Sequence, residues 1–430
     1  VNIQELHKIF VSDPVISTDT RKIEQGSIFF ALKGANFDAN KFVVEALDKG
    51  AAYAVADDRE LAKLNDNRII LVENVLLTLQ ALARYHRDTM NIPVLAITGT
   101  NGKTTTKELI TAALSPAHNV LSTIGNLNNS IGVPLTLLRL RAEHTIAVVE
   151  MGASHPGDIE ELVNVANPTY GIITNVGRAH LQGFGSYEGV ISTKCELYDY
   201  IKAKQGKLFV RNEDDVLMQR SEGIDRVLYG ASPLLNISGT IKSVSPFLKA
   251  EIVCGGEVYD IDTNLIGKYN LDNVVAASTI ASHFGVPMSE IVKAISAYIP
   301  SNSRSQFING EHNNIILDAY NANPSSMKVA IENFAEVDAT DKMLILGDML
   351  ELGKESEGEH TRVVCLLESL DFTDVILVGK EFGKVKSHYK KFATTPEMIE
   401  FLSENDIKSK TILIKGSRGI ALEKAVEYLK

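Results

Sequence analysis

The stretch VLAITGTNGKTTTKELI, residues 94–110, does most to limit what this chain can fold into. The run VLAIT breaks at a turn holding Gly99 and Gly102, and a helix-type segment begins directly after it. A strand that enters a helix through so tight a turn belongs to a parallel sheet, because the helix must carry the chain back before the next strand can run the same way. The turn also has chemical content. Its glycines let backbone N–H groups point inward, and the helix offers its positive end to an anion. Lys103 can neutralise a terminal phosphate, and Thr104 can offer a hydroxyl to Mg²⁺. The usual phosphate-loop pattern wants a glycine five positions before Gly102, where Ile97 stands, so this fragment alone leaves a nucleotide loop and an ordinary strand-to-helix turn both open.

The same strand-then-helix rhythm recurs along the chain. At 430 residues there is more sequence than one core can absorb, and length alone suggests about three domains. In the first, SIFFAL, AAYAVA and RIILVE alternate with helical NKFVVEALDKG, which closes on a C-cap glycine, and a boundary falls near residue 88, ahead of Pro93. From 89 to 299, VLAIT, TIAVVEMG, GIITNVG and KLFVRN alternate with helices. KAEIVCGGEVYDID reads as an antiparallel hairpin appended to that sheet, followed by two helices in YNLDNVVAASTIASHFG and SEIVKAISAYI. The polar, proline-led PSNSRSQ then leads into a unit over 300–430, where IILDAY, KMLILGDM, DVILVG and TILIKGS suggest a doubly wound, Rossmann-like sheet.

Composition narrows the function. The net charge is −11, without a long basic run, which argues against nucleic acid as a partner. No run approaches the ~20 apolar residues of a membrane span. No secretory leader is visible in VNIQELHKIFVSDPVIS, so a cytoplasmic location is expected. Cys195, Cys254 and Cys365 are odd in number and far apart, as reduced thiols are.

Open α/β sheets bind ligands at the carboxyl ends of their strands, and three further stretches put polar groups there. AVVEMGAS leaves Glu150 at a strand end, suited to Mg²⁺ or equally to a solvated edge. ITNVGRAHLQGFGS presents Asn175 and His180 with Gly177, Gly183 and Gly185, a loop shaped for close approach; alone, His180 reads as structural. Lys194 in STKCELYDYI falls where a helix should start, and a cation there opposes the helix dipole unless something anionic offsets it; otherwise it is an exposed lysine.

Together these residues resemble the Mur ligases, the ATP-dependent amide-forming enzymes of peptidoglycan precursor synthesis, over the whole chain. TGTNGKTTT is similar to that family's shortened phosphate loop, and Glu150, TNVGRAH and Lys194 follow its central-domain order. Within the family, GNLNNSIGVPLTLL (125–138), EMGASHPGDI (150–159), DAYNANPSSM (318–327) and LGDMLELG (346–353) resemble members that add D-alanyl-D-alanine to UDP-N-acetylmuramoyl-tripeptide. The diaminopimelate-adding relatives carry an Asp-Asn-Pro-Arg stretch that is not found here. STDTRKIEQGSIFFALKGANFDANKF resembles the family's UDP-binding domain, with Asp38-Ala39-Asn40 where Asp-Gly-His is more common, and Tyr269 stands where the family often has His.

The resemblance implies three α/β domains: a small UDP-binding domain (1–88), a central P-loop ATPase domain (89–299) and a Rossmann-like ligase domain (300–430). It implies ATP held by Gly99, Thr100, Asn101, Gly102, Lys103, Thr104 and Thr105, with Asn270 and Asn273 near the adenine. Two Mg²⁺ ions are implied, one on Thr104 and Glu150, the other on His180 and a carbamylated Lys194, whose negative charge would also relieve the dipole conflict. Arg304 would reach the γ-phosphate and Asp318 the ribose. Asp19, Thr20, Arg21, Gly34, Phe37 and Asp38 would hold the UDP part, Asn128 and Asn129 the muramoyl peptide, and Tyr320, Asn321 and Asn323 the dipeptide. Lys415, Ser417 and Arg418 form a cationic fork suited to a carboxylate or a phosphate. A monomer is expected. The rival readings are another ligase of the superfamily, such as a folylpolyglutamate synthetase, and a nucleotide-dependent switch that ligates nothing.

Overall fold

The computed structural model describes residues 2–12, 15–34, 36–177, 181–301 and 303–430. Its first sheet has four parallel strands in the order Ile16–Ser17, Ile28–Phe30, Tyr53–Ala56, Ile69–Leu71. Alternation along a strand sends successive side chains to opposite faces. Phe29 and Ala31 therefore pack on Val43 and Leu47 of the helix Val43–Asp48, while Ile28 and Phe30 face Leu6, Phe10 and the helix Val75–Thr89.

That last helix joins the first unit to the second. Its polar face is bonded across the seam: Gln80 Nε2 donates to Ser130 O (3.2 Å) and Glu161 Oε1 (2.5 Å), Arg84 to Asn164 O (2.6 Å), and Arg87 to Ala166 O (3.2 Å). His86 is buried there with both ring nitrogens engaged, Nε2 with Leu140 O (3.1 Å) and Nδ1 with His7 Nε2 (3.1 Å). Burial lowers the pKa of both histidines, and for His86 the neighbouring His7 and Arg141 act in the same direction. Native His7 and His86 thus prefer to be neutral, so their contribution is complete above the unfolded value of about 6.5 and is lost as pH falls through the lower folded values. The apparent Tm at about pH 5.5 should lie a few degrees below that at about pH 7.5, and His86→Gln should flatten that dependence; a pH-independent parent Tm would contradict this.

The central sheet has six parallel strands in the order Asp225–Tyr229, Lys207–Arg211, Tyr170–Ile173, Val94–Thr98, Ile146–Glu150, Val120–Ser122. The strand order reverses beside Val94–Thr98, where a crevice opens at the carboxyl ends. The expected hairpin forms from Lys249–Cys254 and Glu257–Asp262, but with Ile237–Ser243 it makes a separate three-stranded sheet. An isolated bridge between Gly230 and Ser238 connects it to the end of the central sheet's edge strand. Its apolar face covers the helices Asn270–His283 and Met288–Ala297, both predicted.

The last sheet runs Gln306–Asn309, Asn314–Asp318, Thr411–Lys415, Lys342–Gly347, Val375–Val378, Lys390–Phe392. All neighbours are parallel except the first pair, and the two outermost strands were not expected. Among the described residues no helix is long and apolar enough to cross a membrane.

Candidate active site

Loops from the carboxyl ends of the central and last sheets face each other across a cleft of about 890 Å³, a size suited to a nucleotide and the end of a second substrate. The glycine turn forms its floor. Gly99 has φ +145°, and a Cβ there would lie 2.0 Å from Thr174 Oγ1; Gly102 caps the helix Lys103–Leu114 at φ +77°. Between them Asn101 is pinned on both sides, its N–H donating to Asn175 Oδ1 (3.0 Å) and its carbonyl accepting from Thr174 Oγ1 (2.7 Å) and Asn175 Nδ2 (3.0 Å). Asn175, read from sequence as a ligand-facing group, thus serves to shape the loop. Thr100 is bonded to Gly177 N through its hydroxyl (2.9 Å), and Thr105 lines the cleft.

Lys103 Nζ curls over the turn to Gly99 O (2.8 Å) and Thr100 O (3.1 Å). Desolvation lowers its pKa, opposed by Glu150 and reinforced by Arg304. Glu150 is 1% exposed and takes hydrogen bonds from Thr104 Oγ1 and Asn128 Nδ2, each at 2.8 Å. Its backbone N–H donates to Thr123 Oγ1 (2.9 Å), and buried Lys107 donates to the Thr123 carbonyl. Asn129 lines the cleft and accepts from Ile131 N (3.1 Å) and Gly132 N (2.8 Å) through its side-chain oxygen.

Lys194 lies two turns inside the helix Tyr187–Ala203, which starts earlier than expected because Ser186 caps it. The expected conflict with the helix dipole therefore does not arise. What perturbs Lys194 is burial: the side chain is 3% exposed, and desolvation, with Lys103 adding to it, pushes its pKa down to about 7. Its Nζ sits 5.5 Å from the Phe184 ring, and no carboxylate within ion-pair distance is found among the described residues. His180 lies outside the described residues.

Asn273 Oδ1 accepts from Thr106 Oγ1 (3.0 Å) and its amide donates to Asn270 Oδ1 (2.8 Å). Of the two, Asn273 lines the cleft, while Asn270 is buried beneath it and donates to Ile266 O (2.8 Å). Beside Asn273, Arg211 and Asp272, far apart in the chain, form an ion pair (2.7 Å) that no local pattern signals.

The opposite wall comes from the last unit. Asp318 accepts from Ser305 N (3.1 Å) and from buried Lys415 Nζ (2.6 Å), so Lys415 is already neutralised. Tyr320, Asn321 and Asn323 line both this cleft and an adjoining pocket of about 200 Å³ that also holds Ser417 and Arg418. Asn321 bonds to Ala322 N (2.9 Å). Asn323 caps the helix Pro324–Glu336 and donates to Asn101 Oδ1 (2.9 Å), joining the two walls. Asp19, Thr20, Arg21, Gly34, Phe37 and Asp38 do not line the cleft. Asp19 and Asp38 cap short turns, at Thr20–Lys22 and Ala39–Phe42, and Phe37, 58% exposed, stacks on Phe42 with centroids 5.5 Å apart.

Residues 97–281 match the model of the Mur ligase middle domain, 303–418 the Mur ligase glutamate ligase domain, and 15–87 the Mur ligase family catalytic domain. A UDP-N-acetylmuramoyl-tripeptide–D-alanyl-D-alanine ligase of Bacillus subtilis (strain 168) is 34% identical over 454 residues, spanning 100% of this chain and 97% of that protein. The chain belongs to the Mur ligase family. Among solved Mur ligases, MurF of Acinetobacter baumannii superposes with a TM-score of 0.86 at 31% identity, covering 96% of this chain and 92% of that one. MurF of Thermotoga maritima in complex with ADP gives 0.85 at 27% identity, with 96% of each chain covered. Against the Mur ligase pattern, Asn40 is a structural substitution: its amide ties Asp38 to Asp57 (2.9 Å each) and its oxygen accepts from Asp57 N (3.0 Å) and Asp58 N (3.2 Å). Ala39 is buried in the core.

Proposed function

We propose that this Mur ligase joins D-alanyl-D-alanine to UDP-N-acetylmuramoyl-tripeptide at the expense of ATP, as an enzyme of cytoplasmic cell-wall precursor synthesis. One arrangement carries the reading: a glycine loop with Lys103, and the Thr104–Glu150–Asn128 cluster, face Arg304 and Asp318 of another unit across one cleft. A switch needs only the loop. Two walls closing on one cleft suit a reaction whose intermediate water would destroy.

In the first step a carboxylate oxygen of the tripeptide attacks the γ-phosphorus, and the bond to ADP breaks. In the second, the dipeptide amine attacks the acyl carbon, inorganic phosphate leaves, and the amine gives up a proton. Lys103, the loop N–H groups and Arg304 would hold the phosphoryl oxygens and offset their charge. Asn273 would face the adenine and Asp318 the ribose, with Asn128 and Asn129 near the muramoyl peptide and the Asp19–Arg21 and Gly34–Asp38 loops on the UDP part.

The donors fit Mg²⁺: Thr104 Oγ1 and Glu150 Oε2 are hard oxygens 2.8 Å apart on the cleft floor. Bound there, Mg²⁺ would supply charge to the β- and γ-phosphate oxygens. Lys194 as a free amine has no oxygen to offer, whereas its carbamate, with His180, would suit a second ion. Burial supports that modification, because the neutral amine is the form that adds CO₂. Both walls come from one chain, which supports a monomer, and three free thiols suit a reducing compartment.

The test is phosphate release from ATP with UDP-N-acetylmuramoyl-tripeptide present, comparing D-alanyl-D-alanine with single amino acids. Release should require the dipeptide and yield a UDP-linked pentapeptide. Turnover with a single amino acid alone, or hydrolysis without ligation, would overturn the reading.

A further inference from the structure

Two arginines converge on one ring. Arg304 Cζ lies 3.7 Å from the centroid of Tyr320, and Arg418 Cζ lies 5.4 Å from it. Arg304 lines the large cleft, Arg418 the smaller pocket, and Tyr320 lines both. A carboxylate in place of the ring would cancel the cations and consume their N–H groups. An aromatic face orients a guanidinium while leaving its charge and donors free for an incoming anion. Arg304 Nε accordingly is buried with no hydrogen-bond partner among the described residues.

The backbone supports the same placement. Arg304 sits between Ser303 (φ +54°) and Ser305 (φ +49°), two non-glycine residues in the left-handed region. The bend is held from both units: Tyr320 N donates to Ser303 O (3.2 Å), Ser305 N donates to Asp318 Oδ1 (3.1 Å), and Ser305 Oγ meets the Tyr269 hydroxyl (2.5 Å). Tyr320 thus fixes Arg304 twice, through its ring and through its own N–H.

We infer that Tyr320 is a positioning residue that partitions two anion sites, turning Arg304 toward the phosphoryl group in the cleft and Arg418 toward the free carboxylate of the incoming dipeptide in the 200 Å³ pocket. The inference rests on the ligase reading. The dipeptide's amine reaches the cleft over the rim that Tyr320, Asn321, Asn323 and Glu351 share.

Steady-state kinetics of the full chain test it, once the parent protein has shown dipeptide-dependent phosphate release; without that release the ligase reading itself fails, whatever the variants do. Arg304→Ala should lower kcat, and Arg418→Ala should raise KM for D-alanyl-D-alanine. Tyr320→Leu should do both, each by about tenfold, while KM for UDP-N-acetylmuramoyl-tripeptide stays within about twofold. Tyr320→Phe, which keeps the face, should bring both parameters back to within about threefold of the parent. Tyr320→Met replaces the leucine variant should that one not fold, since it also lacks a π face. A Phe variant as impaired as Leu, or a Leu variant that changes only one parameter, overturns the proposal.

Discussion

Replacing Lys103 by alanine is expected to lower kcat for phosphate release by about 10³-fold, while circular dichroism and Tm stay near those of the parent. The ammonium's bonds to Gly99 O and Thr100 O are lost, but the other contacts that shape the loop remain. Its form is set by Gly99 and Gly102 and by the Asn175 and Thr174 contacts to Asn101, all of which survive the change. What goes, on the proposed function, is a cation beside the developing phosphoryl charge, in a desolvated place where charge is worth more than in water. Lys103→Arg should recover little, because a planar guanidinium is too broad for the site between Gly99 O and Thr100 O that takes a compact ammonium. Loss of less than tenfold in Lys103→Ala would show that the loop holds something other than the reacting phosphate.

Lys194→Ala is expected to cost about 10²- to 10³-fold, and added formate or acetate should restore part of it. The surroundings explain why. Burial disfavours any charge at Lys194 and so keeps the amine neutral, while the nearby Lys103 charge disfavours an ammonium and favours an anion at the same point. Above about pH 7 the amine is neutral and can add CO₂; below it protonation competes. Parent activity should therefore fall as pH drops below that value and in CO₂-depleted buffer, and the alanine variant should lose the CO₂ response. Full activity in Lys194→Ala would remove the carbamate from the mechanism.

Much of this was legible in the sequence because buried parallel strands are short apolar runs, and because a phosphate-binding turn needs glycine where φ is positive. The edge strands Gln306–Asn309 and Lys390–Phe392 lack that signature for the converse reason: neither has a fully buried residue, so neither is a continuous apolar run. STKCELYDYI reads as a helix start at Lys194 because the cap that begins the helix, Ser186, lies outside that stretch. The bonds that Asn40 and Asn270 make within the fold have no local signature, since the partners a buried amide needs come from other segments. The Arg211–Asp272 pair and the convergence of Arg304 and Arg418 on Tyr320 depend on distant segments meeting, which no local pattern encodes.

The bond from Asn323 to Asn101 has a mechanical side. Asn323 begins the 13-residue helix Pro324–Glu336, and Asn101 sits at the tip of the glycine loop. A helix of that length is a rigid arm of about 20 Å. At its far end Lys268 meets Glu336 (2.7 Å) and its N–H meets Asn333 (3.1 Å), so the arm is seated at both ends on the central unit. The helix is thus a strut footed at both ends on the central unit, and it ties the seating of the last unit to the position of the glycine loop.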